Sequence, residues 1–135
     1  SPTFVTTTST TSVKTPRVLV GGTALVDTDF VLSAGWGTTR TVTGIQGGDG
    51  AHRFTVNATG TGQAIAPTVT LTFKNGTWTT APHCLGQFET NTGDATPSVG
   101  THSLNPTATT YVFQYGGTPV ASATYTWSVL CNGNN

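Results

Sequence analysis

Charge is the first thing this chain lacks. Asp, Glu, Lys and Arg make up 7% of its 135 residues, against about 25% in an ordinary soluble domain. Lys14, Arg17, Arg40, Arg53 and Lys74 are scattered along the sequence and balanced by five anions. Contact with a phosphate backbone needs clustered cations, so nucleic acid is not expected as a partner. Glu89 is the single Glu, and the other carboxylates are Asp27, Asp29, Asp49 and Asp94. Hydrolysis by a carboxylate pair needs two such groups placed across one bond. Asp49 and Asp94 each follow a Gly in a turn-like context, and no pair stands out. There is no nucleophile elbow, phosphate loop or zinc signature, so neither an enzyme nor a cofactor is expected. No apolar run approaches the roughly 20 residues of a membrane-crossing helix, and no basic-then-apolar leader opens the chain. Membrane insertion is therefore not expected. Met is absent, and a chain that begins Ser1-Pro2-Thr3 reads as an excised or processed piece of something longer.

Thr is what the chain has instead, at about a quarter of all residues, together with 17 Gly. The branched Thr side chain suits a pleated surface, and the apolar residues alternate with it. In Pro67–Lys74, Val69, Leu71 and Phe73 fall between threonines. Near the end, Tyr125, Trp127, Val129 and Cys131 share one face, while Thr124, Thr126, Ser128 and Leu130 share the other. A period of two over five to eight residues marks a strand with one buried and one wet face. The fold class predicted is all-β, an antiparallel sandwich.

Taken in order, Ser1–Ser12 is Thr- and Ser-rich with only Phe4 and Val5 as apolar anchors. It buries too little to fold alone. A strand is expected over Val13–Val20, broken by Pro16, with Gly21-Gly22 ending it. Residues 1–22 thus read as an extended stalk or linker and 23–135 as the β-sandwich head. Asp27–Gly37 is expected to be a strand with Phe30, Leu32, Ala34 and Trp36 on one face. Arg40–Ile45 and His52–Ala58 follow as strands around a Gly-rich turn at 46–50, and a soft internal boundary falls near 59–67. Ser98–Asn105 and Thr109–Tyr115 are expected as central strands. About four strands in the front half and five in the back give the spacing of a sandwich or barrel.

The back half resembles the C-terminal head domain of bacteriophage tail fibres and tailspikes. The residues that carry the likeness are Thr68-Val-Thr-Leu-Thr-Phe73, a short loop with Trp78, Ala81-Pro-His-Cys84, Thr109-Thr-Tyr-Val-Phe113 and Tyr125-Thr-Trp-Ser-Val-Leu-Cys131 followed by Asn132-Gly133. The resemblance implies a jelly-roll-like sandwich at the distal tip of a homotrimer, on a virion and outside the cell. It implies adsorption to a bacterial surface glycan or outer-membrane protein. In that family, polysaccharide cleavage belongs to a long β-helix that this chain is too short to contain. Two other classes stay open: a monomeric carbohydrate-binding module of a secreted glycosidase, and a capsid decoration or surface structural protein. Scarce charge leaves sheet edges and faces unguarded, which an obligate oligomer or a hydroxyl- and amide-rich surface equally accommodates.

Binding is left to aromatics and polar loops. Trp36, between two glycines, and Trp78, after Asn75-Gly76, are candidate sugar platforms, because an exposed aromatic meets the apolar face of a sugar ring. By the resemblance, Trp78 matches an aromatic that packs under the sheet, which favours a core role. Gln87, Asn91 and Asp94, in and before the 89–97 loop, and Asn105, opening the 105–110 loop, are the polar candidates. His52, His83 and His102 lack the spacing of a metal pair, and Asp27 and Asp29 lack the further oxygen ligands of a calcium site. Turn and capping use is expected for the two Asp. Cys84 and Cys131 allow a bridge across a 47-residue separation or two buried thiols. A phage protein is made in a reducing cytosol, which favours the thiols.

Overall fold

The structure is a computed structural model and describes residues 22–98 and 102–133. Of the expected stalk, all but Gly22 lies outside the described residues, as does the strand expected over Val13–Val20. Eight strands are present: β1 (Phe30–Leu32), β2 (Thr41–Gly48), β3 (Ala51–Ala58), β4 (Thr68–Thr72), β5 (His83–Thr92), β6 (His102–Pro106), β7 (Thr110–Tyr115) and β8 (Ala123–Asn132). They form two four-stranded antiparallel sheets, ordered β1-β4-β7-β6 and β2-β3-β8-β5. The all-β sandwich is therefore present. Its β2–β3 and β6–β7 connections stay within one sheet, and the other successive strands change sheets. Strands from either side of 59–67 pair with each other, β1 with β4 and β3 with β8. That stretch is a crossing between the two sheets.

Period-two alternation explains why the sheets face each other. Phe54 and Val56 of β3, Val69 and Leu71 of β4, Tyr111 and Phe113 of β7, and Tyr125, Trp127 and Val129 of β8 are all buried. Trp127 lies at the centre, with ring centroids 4.9 Å from Phe113, 5.6 Å from Phe88 and 5.9 Å from Phe54. Each such side chain contributes about 1.5–3 kcal/mol through burial, and offset or edge-on aromatic pairs add to that. At one edge His102 Nε2 donates to the carbonyl of Gly86 at 2.8 Å and ties β6 to β5.

The segment Asp27–Gly37 departs from the expected strand. Only Phe30–Leu32 is extended, and 3₁₀ turns flank it at Asp27–Asp29 and Ala34–Trp36. The second turn swings Trp36 into the core, where it is 0% exposed and its Nε1 donates to the carbonyl of Thr68 at 3.0 Å. Gly37 permits the swing. Its φ is +117°, and a Cβ there would stand 2.2 Å from the carbonyl oxygen of Thr59, so no other residue fits. Asp27 and Asp29 accept backbone N–H groups of Thr28 and Val26, and Asp29 also pairs with Lys74 at 3.1 Å. Of the two strands expected to be central, β7 is central and β6 is an edge strand.

Cys84 and Cys131 are bridged, which corrects the expectation of two thiols. The register explains it: the two residues stand directly opposite each other on β5 and β8, with Cα atoms 4.1 Å apart.

Candidate recognition face

The outward residues of the β2-β3-β8-β5 sheet line up across all four strands. One row reads Gln46, Arg53, Ser128 and Gln87, and the next reads Gly48, Ala51, Leu130 and Leu85. On the other side lie two rows of small polar groups: Thr43, Thr55, Thr126 and Thr90, then Thr41, Asn57, Thr124 and Thr92. Neighbouring strands are about 4.8 Å apart and rows about 6.8 Å apart. The alternation that buries Phe54, Tyr125 and Trp127 therefore also writes this face.

Both edge strands of this sheet carry a register shift, β2 between Thr43 and Gln46 and β5 between Phe88 and Thr90. A bulge bends its strand and sharpens the twist. Between the two bulged edges lies an open trough of about 750 Å³, lined by Gln46, Arg53, Leu85, Gln87, Ser128 and Leu130 among others. Leu85 is 75% and Leu130 54% exposed. The two side chains stand opposite each other on neighbouring strands and form a small apolar patch beside the polar row.

The bulge at Glu89 sets its carboxylate against two residues that line the trough, Arg53 and Ser128. Glu89 accepts from Arg53 Nε at 2.5 Å and from the Ser128 hydroxyl. The Ser128 hydrogen bond, with the guanidinium of Arg53 beside it, holds the Glu89 carboxyl below its ordinary range. Charge in the trough is thereby cancelled locally. The Thr rows satisfy one another: the Thr55 and Thr126 hydroxyls are 2.8 Å apart, and Asn57 Nδ2 donates to the hydroxyls of Thr41 and Thr43, each at 3.0 Å. His52 forms part of the wall from beneath. It is buried between the carbonyl of Gly48, to which Nδ1 donates at 3.0 Å, and the Tyr111 hydroxyl, 2.7 Å from Nε2. Desolvation lowers its pKa to about 4, so the ring is neutral.

The residues expected to bind do not converge. Gln87 lies in the trough, with Nε2 donating to the carbonyl of Phe88 at 3.0 Å. Asn105 is on the opposite sheet, paired in register with Val112. Asn91 and Asp94 serve the fold: Asn91 Nδ2 donates to the Asp94 carbonyl, and the Asp94 carboxylate accepts from the Tyr125 hydroxyl at 2.7 Å. Trp36 is no platform, because it is enclosed in the core, and Trp78 packs edge-on against Phe73 with centroids 5.8 Å apart. Every aromatic among the described residues is buried or partly so. Leu85 and Leu130 were not among the candidates read from the sequence. Leu130 occupies a wet position in the period-two pattern of β8, and an apolar residue on a wet face was the available signal. Among the described residues no group of three or more His, Cys, Asp or Glu is placed to hold a metal. Compared with protein-family models, curated proteins and solved structures, the chain matches none.

Proposed function

We propose that this chain is a non-catalytic adsorption domain whose trough engages a polymer on a bacterial surface, in the setting of the receptor-binding tip of a phage tail fibre or tailspike. The observation that carries ligand binding is the trough itself: an exposed Leu85–Leu130 pair beside the Gln87–Ser128–Arg53 row, held between two bulged edges. The fibre setting, and with it a homotrimer on a virion, rests on the sequence resemblance. A bridged Cys84–Cys131 pair is compatible with an oxidising exterior. Three copies on one fibre multiply a weak single contact through effective concentration. A carbohydrate-binding module of a secreted glycosidase would present a row of exposed aromatics, and the burial of Trp36, Tyr125 and Trp127 speaks against that mode of binding.

The test is adsorption of fluorescently labelled chain to a panel of bacterial cells and their extracted surface polysaccharides. Replacing Leu85 and Leu130 by Asp is expected to abolish retention on whichever member binds, while Asn105→Ala on the opposite sheet leaves it intact. Retention that survives the double replacement, or no retention anywhere on a broad panel, counts against the reading.

A further inference from the structure

The chemistry of the trough narrows its ligand class, on the assumption that the adsorption reading above is right. Among the described residues the only cation lining the trough is Arg53, and Glu89 neutralises it within hydrogen-bonding distance. An acidic sugar would bring a second carboxylate beside Glu89, at a cost in repulsion. A neutral ligand meets no such penalty. Arg53 uses only Nε in its hydrogen bond to Glu89, so the terminal N–H groups of its guanidinium are donors without a protein acceptor among the described residues. Gln87 donates through Nε2 to its neighbour's carbonyl and keeps Oε1 as an acceptor. Donor and acceptor thus stand at two places in one row, with Ser128 between them. One step along the strands, about 6.8 Å away, Ala51, Leu130 and Leu85 form an apolar row.

We infer that the trough selects neutral glycans bearing acetamido groups. An acetamido group presents a carbonyl for the guanidinium N–H, an N–H for the Gln87 carbonyl oxygen, and a methyl for the leucine row. A bare hydroxyl supplies no methyl and leaves Leu85 and Leu130 in water. An analogue without the acetamido group leaves the guanidinium and Gln87 to water and buries none of the leucine row, so it gains less on binding. Complementarity here is to a small, uncharged, amphipathic substituent, which also explains why no exposed aromatic is needed.

The experiment is calorimetric titration of the full chain with three probes: a β-1,4-linked N-acetylglucosamine tetramer, the glucose tetramer of the same linkage, and a uronate tetramer. The acetamido tetramer is expected to bind at least about tenfold more tightly than the glucose tetramer, with the uronate weakest. Gln87→Ala and Leu130→Thr are each expected to erase that preference, and both positions are exposed enough for the fold to persist, as circular dichroism will verify. Equal affinity for the first two probes, or a preference for the uronate, overturns the acetamido assignment and leaves the glycan-adsorption reading standing. Binding of none of the three also overturns it, and the adsorption reading is then judged by the cell panel alone.

Discussion

His52 has its protonation state fixed by its neighbours. The carbonyl of Gly48 can only accept, so Nδ1 carries the proton and the Tyr111 hydroxyl donates to Nε2. Burial leads the factors that lower its pKa from 6.5 to about 4, against smaller raising effects from Gly48 and Asp49. The unfolded chain therefore takes up a proton at a higher pH than the folded one does. The stabilisation is complete above pH 6.5 and is lost as pH falls from 6.5 to about 4, by about 3 kcal/mol in total. Urea midpoints measured across that interval are expected to fall, and His52→Gln is expected to flatten the fall; a wild-type profile as flat as the variant's contradicts the assignment. Trp127 is the second residue on which much depends, because Phe54, Phe88, Phe113 and Tyr115 all close around it. Trp127→Ala is expected to cost about 3–5 kcal/mol in urea unfolding, and a loss below about 1 kcal/mol would show that the core collapses into the space.

At the scale of elements, the β5–β8 pair carries both the bridge and half of the trough. Opening the Cys84–Cys131 bridge by replacing both residues with Ser is expected to lower stability by about 3–4 kcal/mol, the chain-entropy value for a loop of 47 residues. Thiol labelling of denatured, unreduced protein is expected to modify neither cysteine. Gly37→Ala is expected to destabilise by about 2 kcal/mol or more, because φ of +117° and the Thr59 carbonyl both forbid a side chain; stability equal to the parent's would refute that geometry. Strands with strict alternation, β3, β4, β7 and β8, were legible in the sequence because one face had to be buried. Asp27–Gly37 was misread because Phe30, Leu32, Ala34 and Trp36 obey the same period of two, while the 3₁₀ turn at Ala34–Trp36 depends on tertiary contacts with Thr59 and Thr68. The bridge was misread because compartment was weighed and register, which places Cys84 opposite Cys131, becomes known only when β5 is aligned with β8.

For the whole molecule, the sandwich was legible and the trough on its outer face largely was not. A face is assembled from residues far apart in sequence, Arg53, Gln87 and Ser128 in one row, and no local pattern joins them. Of the residues proposed from the sequence, Gln87 alone falls in the trough, since polar loops such as Asn91–Asp94 turned out to satisfy their own backbone. In the proposed fibre setting the purified chain is expected to show three times the monomer mass by light scattering, and a monomer would remove that setting while leaving the trough in place. The most direct test of the central claim is to map backbone amide shifts as a bound bacterial surface polysaccharide is added. The changes are expected to concentrate at Arg53, Leu85, Gln87, Ser128 and Leu130. Changes confined to the outer face of the other sheet, around Thr70, Asn105 and Val112, would contradict it.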